Sequence, residues 1–117
     1  VQGQKDEAKE MYRKALNIEL TILSPDHKDV AATYGIMGSI SESQGNLDEA
    51  MEYFEKGLEI ELKVYGRGHE EVATTYSNIG CVLKGLQKWD EAMESLEKAL
   101  AIQVDILGPR HEDVGLT

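Results

Sequence analysis

Apolar residues recur along this chain at the three- and four-residue spacing of amphipathic helices. The pattern is most regular over 47–64, where one face carries apolar or small residues: Ala50, Met51, Phe54, Gly57, Leu58 and Leu62. The opposite face of the same segment carries charged residues: Asp48, Glu52, Glu55, Glu59 and Lys63. Such a 3.6-residue alternation predicts a half-buried helix. Residues 30–42 show the same spacing and predict a second helix.

Glycine and proline divide the chain into segments of helical length. Gly45 separates these two segments, Gly66 follows the segment 47–64, and the pair Gly108-Pro109 follows a later one. Because glycine favours the left-handed C-terminal cap, we expect helices to end at these positions. The prediction is five helices, near 4–23, 27–43, 47–64, 69–85 and 89–106, with the start of another from 111. Asn46 followed by Glu49 is typical of a capping box for the third helix.

The sequence matches itself without gaps at an offset of 42 residues. His27, His69 and His111 are one such set, and Val30, Val72 and Val114 are another. A period of this size indicates stacked supersecondary units. We therefore predict a single all-α domain, an α-solenoid of antiparallel helical hairpins, divided as 1–26 (second helix of a truncated repeat), 27–68, 69–110 and 111–117 (start of a further repeat). Both ends fall inside a unit, so we expect the chain to be a fragment.

Charge and cysteine content narrow the expected partners and compartment. Twelve basic and twenty-two acidic side chains give a formal net charge of −10, which disfavours nucleic acid and anionic membrane surfaces. The single cysteine, Cys81, forms no intramolecular disulfide and fits a reducing environment. No apolar run approaches the roughly 18 residues that span a bilayer. We expect a cytoplasmic protein.

The sequence contains no recognisable catalytic or metal-binding motif. Cys81 has no histidine three or four residues away on its helix face to act as a base, and there is no Gly-rich phosphate loop. Stacking displaces equivalent histidines by roughly 10 Å, whereas zinc ligands converge within ~2.1 Å of one ion. We therefore predict no enzyme activity, metal site or cofactor, and we expect the histidines to order the turns between units by bonding to backbone.

The spacing within each unit resembles the tetratricopeptide repeat (TPR). Its signature places an aromatic residue, a glycine, a further large residue, and then alanines and an aromatic residue at fixed offsets. The matching residues are Tyr34, Met37, Gly38, Ser41, Ala50, Phe54 and Gly57 in one unit, and Tyr76, Ile79, Gly80, Leu83, Ala92, Leu96 and Ala99 in the next. The 42-residue period and the segment 107–114 resemble the kinesin light chain type. We expect Gly38 and Gly80 to allow close approach of helices, with Phe54 and Leu96 filling the adjacent space.

The resemblance implies that the first helix of each hairpin lines a concave surface that binds a protein or peptide. The residues of that helix that point away from its partner are the candidate contacts: Ala32, Gly35, Ser39, Glu42, Thr74, Ser77, Asn78, Cys81 and Lys84. Asn78 matches an asparagine that in the kinesin light chain type can bond a ligand's backbone. Gly35, Ser39, Ser77 and Cys81 occupy places where a chaperone-tail clamp has basic or amide side chains, so that specificity is disfavoured. The alternative is that these small residues only permit close stacking.

Two functions remain open at this point. The first is a protein-interaction scaffold, the adaptor or cargo region of a longer protein. The second is a structural or self-associating spacer, in which apolar helix faces at the truncated ends pair with another copy into a homodimer. Two and a half units are close to the minimum for a stable array, so we expect marginal stability or dimerisation.

Overall fold

The computed structural model describes the backbone of residues 2–116 and the side chains of residues 3–107. Five helices follow one another along the chain: α1 Gln2–Ile22, α2 Lys28–Ser43, α3 Leu47–Val64, α4 Glu70–Gly85 and α5 Trp89–Leu116. The first four agree with the predicted helices to within two residues. The all-α architecture predicted from the periodicity is confirmed.

Each helix packs against the helices before and after it in the sequence. Short connections fold α2 onto α3 and α4 onto α5 as hairpins, and the contacts of α1 with α2 and of α3 with α4 join these units into one array. The array is elongated, with principal extents of 53 × 35 × 22 Å. In this arrangement α2 lies between α1 and α3, and α4 lies between α3 and α5.

In each hairpin, one glycine sets the distance between the two helices. A Cβ atom on Gly38 would lie 2.8 Å from the Phe54 ring, and one on Gly80 would lie 2.7 Å from Cγ of Leu96. These distances are shorter than van der Waals contact, so only glycine allows this approach. Phe54 is 1% exposed and, with Ala50 and Ile79, belongs to the larger of the two apolar clusters that form the core.

Turns between the helices use left-handed residues and histidine caps. Gly45 and Gly66 have φ values of +83° and +85°, and Gln87, 42 residues after Gly45, has φ +64°. Nδ1 of His27 accepts the N–H of Asp29, and Nδ1 of His69 accepts the N–H of Glu71, both at 3.0 Å. The predicted bond from histidine to backbone is therefore confirmed at these two junctions, and the side chain of His111 lies outside the described residues.

The predicted end of the fifth helix at residue 106 is wrong, because α5 continues to Leu116. At the two earlier junctions the chain reverses where the next helix packs against the preceding one, α2 on α1 and α4 on α3. Glycine and proline weaken a helix, but the surrounding packing decides whether the chain turns. Helix α5 packs against α4. Residues 111–116 continue α5 and do not start a new helix.

Candidate functional site

The predicted contact residues of α2 lie along one side of that helix. Ala32 and Ser39 are exposed, and Gly35 and Glu42 are half-buried. A Cβ atom on Gly35 would meet no other atom within 4 Å, so the space above this glycine is open. The side chains on this side of α2 are mostly small, so another chain could approach the helix backbone closely.

The predicted residues of α4 repeat this arrangement 42 positions later. Thr74, Cys81 and Lys84 are exposed, whereas Ser77 and Asn78 are half-buried. The Thr74 hydroxyl donates to the carbonyl of Glu70 at 3.1 Å, so its polar atom is already engaged with its own helix. We call the nine residues of α2 and α4 together the small-residue stripe.

The small-residue stripe carries little charge compared with the rest of the chain. Its two ionisable groups besides the Cys81 thiol, Glu42 and Lys84, occupy the same position in successive units and have opposite signs. Side chains as small as serine, alanine and glycine leave backbone and hydroxyl groups within reach of a ligand's own backbone. The arrangement can therefore bind a polypeptide by hydrogen bonds and close packing, and it holds no pairing of nucleophile and base.

A carboxylate and a threonine connect each pair of neighbouring units. Thr33 Oγ1 donates to Glu19 Oε1 at 2.8 Å, and Thr75 Oγ1 donates to Glu61 Oε1 at 2.6 Å. Both pairs are separated by 14 residues and repeat at the 42-residue offset. The sequence pattern did not single out these glutamates, although the 42-residue offset from Glu19 to Glu61 was available as a signal.

Glu61 is an acidic side chain in the core, with 8% of its surface exposed. Burial raises the pKa of its carboxyl group, the hydrogen bond from Thr75 opposes this rise, and the nearby charge of Glu71 adds to it. Because the pKa is higher in the folded than in the unfolded chain, its contribution to stability is greatest below the unfolded pKa and is lost as pH rises through the folded pKa. At neutral pH this charge opposes folding.

We expect Glu61→Gln to raise the free energy of unfolding at pH 7 by about 1 kcal/mol. A neutral amide can still accept from Thr75 through its oxygen, and Gln103 already stands at the equivalent position of the next unit. Urea unfolding at pH 7 and at pH 4 measures the effect, which should shrink at the lower pH. Glu19→Gln, at the more exposed equivalent site, is the control. A loss of stability of equal size at both pH values would contradict the prediction.

A buried lysine joins the first three helices. Lys9, which is 7% exposed, places Nζ 2.7 Å from Glu49 Oε1, and the same oxygen accepts from Ser41 Oγ at 2.9 Å. Lys9 holds the pKa of the Glu49 carboxyl below its usual value, despite the opposing effect of burial. The predicted capping box is therefore wrong. Asn46 makes no side-chain cap, and Glu49 points to α1 and α2 because a buried ammonium group requires a partner.

Residues 3–107 contain no group of three or more His, Cys, Asp or Glu side chains that could hold a metal ion. No helix within the described part of the chain is both long and apolar enough to span a membrane.

Comparison with known proteins identifies the family. A tetratricopeptide repeat family model matches residues 1–60 and again residues 29–105. The chain belongs to the tetratricopeptide repeat family. TPR repeats generally mediate protein–protein interaction, and this fold is typically a non-enzymatic scaffold.

Two solved TPR structures resemble the chain over most of its length. BtubC (BKLC) from P. vanneervenii is 27% identical with a TM-score of 0.83, over 88% of this chain and 41% of that one. The nearly identical TPR-like repeats of a protein assigned as a kinesin light chain in Podosopora anserina are 25% identical with a TM-score of 0.80, over 90% of this chain and 50% of that one. The kinesin light chain-like type is therefore confirmed. The TPR chain spans half or less of these structures, and no curated protein matches it.

Proposed function

We propose that this TPR chain is a protein-interaction scaffold that binds a segment of a partner protein along the small-residue stripe of α2 and α4. The observation that carries the proposal is the recurrence of an exposed row of small side chains on equivalent faces of two successive first helices. The open space at Gly35 supports it, because a ligand backbone could lie against the helix there. The role fits an adaptor or cargo region of a longer protein.

Polar atoms in the small-residue stripe support recognition of a polypeptide backbone. Asn78 offers an amide that can both donate and accept, and Ser39 and Ser77 offer hydroxyl groups. The low charge of the stripe favours neutral or mildly basic segments, because the chain as a whole is acidic. The exposed thiol of Cys81 supports a reducing compartment, and we place the protein in the cytoplasm.

Bulky substitutions at equivalent positions of the two units test the small-residue stripe. Ser39→Tyr and Cys81→Tyr each add a large side chain to an exposed site without altering the core. Partners captured from a cell lysate by the wild-type chain are identified, and their purified segments are titrated against each variant. We expect at least roughly tenfold weaker binding, about 1.4 kcal/mol, for both variants.

The matched control is Glu59→Tyr, on the exposed outer side of α3 and away from the small-residue stripe. It should retain the affinity of the wild-type chain. Retention of full affinity by both stripe variants, with circular dichroism showing that they fold, would exclude the stripe as the binding surface.

A second candidate function, self-association, is favoured by apolar side chains exposed on the two outer helices. On α1 these are Met11, Ile18 and Ile22, and on α5 they are Met93, Leu100, Val104 and Leu107. Each set follows the spacing of one helix face. Two copies of charge −10 repel one another, so a homodimer formed through these faces should become tighter as salt is added. Sedimentation equilibrium across concentration and salt tests this, and a constant monomer mass excludes it.

A further inference from the structure

A cleft of about 200 Å³ lies between α3 and α5 and is floored by α4. Its floor is formed by Tyr76, Ile79 and Leu83 of α4. Met51 and Leu58 of α3 lie on one side, and Ser95 of α5 lies on the other. Ile79 and Leu83 belong to the core, whereas Met51 and Leu58 are only partly buried. The cleft therefore exposes apolar surface at the edge of the core.

The same place one unit earlier is filled by an aromatic ring. Tyr53 stands 42 residues before Ser95, and it packs against the cluster that contains Leu16 and Met37. Its ring centroid lies 6.3 Å from that of Tyr34. Leu16, next to these rings, is only 8% exposed, whereas Leu58, which stands 42 residues later, is only partly buried. The replacement of tyrosine by serine thus accounts for the open cleft.

Two cations of the earlier junction, Lys9 and Arg13, are also replaced. Lys9 forms an ion pair with Glu49, but its counterpart in the next unit is Met51, so the counterpart of Glu49, Glu91, faces no lysine there. Arg13, whose pKa is raised chiefly by the neighbouring Tyr53, has Glu55 as its counterpart 42 residues later. The second junction therefore keeps the carboxylate, and Lys98 lies over Tyr76 as Lys56 lies over Tyr34, but it has no ring at position 95 and no cation at positions 51 and 55.

Three carboxylates surround the cleft. Glu55, Glu91 and Glu94 line it and are exposed to solvent. Among residues 3–107, none of the three belongs to an ion pair. A cleft with apolar residues at its base and three unpaired negative charges around it is complementary to a large apolar side chain that has a positive charge beside it.

We propose that this cleft binds a partner-protein segment in which a tyrosine or phenylalanine is adjacent to lysine or arginine. The ring enters between Leu58 and Ile79, where Tyr53 lies in the preceding unit, and the cation pairs with Glu55 or Glu91. The partner thereby supplies the ring and the charge that Tyr53, Lys9 and Arg13 supply at the first junction. Burial of the ring provides affinity, and the carboxylates select the flanking charge.

This cleft is separate from the small-residue stripe. Ile79 and Leu83 are each two residues from Cys81, which places them about 160° around α4 from it at 100° per residue. The two surfaces therefore lie on opposite sides of α4. A binding experiment on the cleft therefore does not decide whether the small-residue stripe binds a partner, and the chain can bind one partner segment at each surface.

A nuclear magnetic resonance titration with short capped peptides tests the proposal. The probe is the peptide Arg-Tyr-Arg, and the comparison peptides are Arg-Ala-Arg, without the ring, and Glu-Tyr-Glu, with reversed charge. We expect the amide signals of Met51, Ile79 and Ser95 to shift with Arg-Tyr-Arg, and the other two peptides to bind at least roughly tenfold more weakly. Shifts confined to Ser77 and Cys81, or equal affinity for all three peptides, would overturn it.

A substitution that fills the cleft with a side chain of the protein itself tests the proposal most directly. Ser95→Tyr restores the residue of the preceding unit, so it should abolish peptide binding and raise the melting temperature by covering Leu58. Ser43→Tyr, the same substitution at an exposed residue of α2 outside both the cleft and the small-residue stripe, should leave binding unchanged. The pair Glu91→Gln and Glu94→Gln tests the charges independently of any effect of Ser95→Tyr on folding, and should weaken Arg-Tyr-Arg at least severalfold. Unchanged affinity in both cleft variants would overturn the proposal.

Discussion

Phe54→Ala should lower the free energy of unfolding by about 3–5 kcal/mol. The Phe54 side chain is 1% exposed and lies in the core cluster shared by α3 and α4, and its ring packs against Gly38 of α2. Its removal therefore leaves a cavity where three helices meet, and the missing Cβ of Gly38 means that no neighbouring side chain can fill it. Urea unfolding followed by circular dichroism measures the change.

The control for this prediction is Leu96→Ala, at the position 42 residues later. Leu96 makes the same contact with Gly80 but is only half-buried, so we expect about half the loss of stability. Domains are stable by only about 5–15 kcal/mol, so the phenylalanine variant should be extensively unfolded on mild heating. Equal effects at the two positions would contradict the assignment of Phe54 to the core.

The helices and their internal packing could be predicted because both follow from local spacing. The apolar period placed α1 to α4 within two residues, and the matched glycines and large residues gave the close approach within each hairpin. The small-residue stripe was predicted in the same way, because helical geometry fixes which residues face away from the partner helix once the buried face is known, and its role in binding stays a prediction. These features repeat in each unit, so the sequence of a single unit is enough to predict its helices and the packing between them.

Contacts between units were harder to predict. Lys9 and Glu49 are residue types normally found on solvated helix surfaces, and only the position of α1 against α2 and α3 shows that they form a part-buried ion pair. Glu61 was missed for the same reason, because a glutamate in a charged helix is normally exposed. The end of α5 was predicted wrongly because a Gly-Pro pair was taken as sufficient to turn the chain without the packing that turns it elsewhere.

The two equivalent junctions differ in their surface residues within a common framework. The first junction is closed by the Lys9 to Glu49 pair and by Tyr53, whereas the second has Met51 and Ser95 at the corresponding places. Since both junctions keep the same helix contacts, the substitutions alter the surface without altering the fold. Repeat proteins can therefore acquire a site at one junction while the neighbouring junction retains a purely structural role.

Gly80→Leu should destabilise the chain by about 1–3 kcal/mol, which corresponds to several degrees in the melting temperature. A Cβ atom at this position would lie 2.7 Å from Cγ of Leu96 and 3.3 Å from the carbonyl oxygen of Ala92. The leucine side chain could move, but the backbone carbonyl belongs to α5, so the two helices must separate. Differential scanning calorimetry measures the shift.

Gly35→Leu is the matched control, because Gly35 is also a helical glycine and has no atom within 4 Å of its Cβ position. Replacing glycine in a helix gains about 0.8–1.0 kcal/mol of intrinsic helix propensity at either site. The control should therefore melt at the same or a higher temperature, and the difference between the two variants isolates the packing between α4 and α5. If both variants melt together, Gly80 does not set the distance between these helices, and the hairpin geometry has another cause.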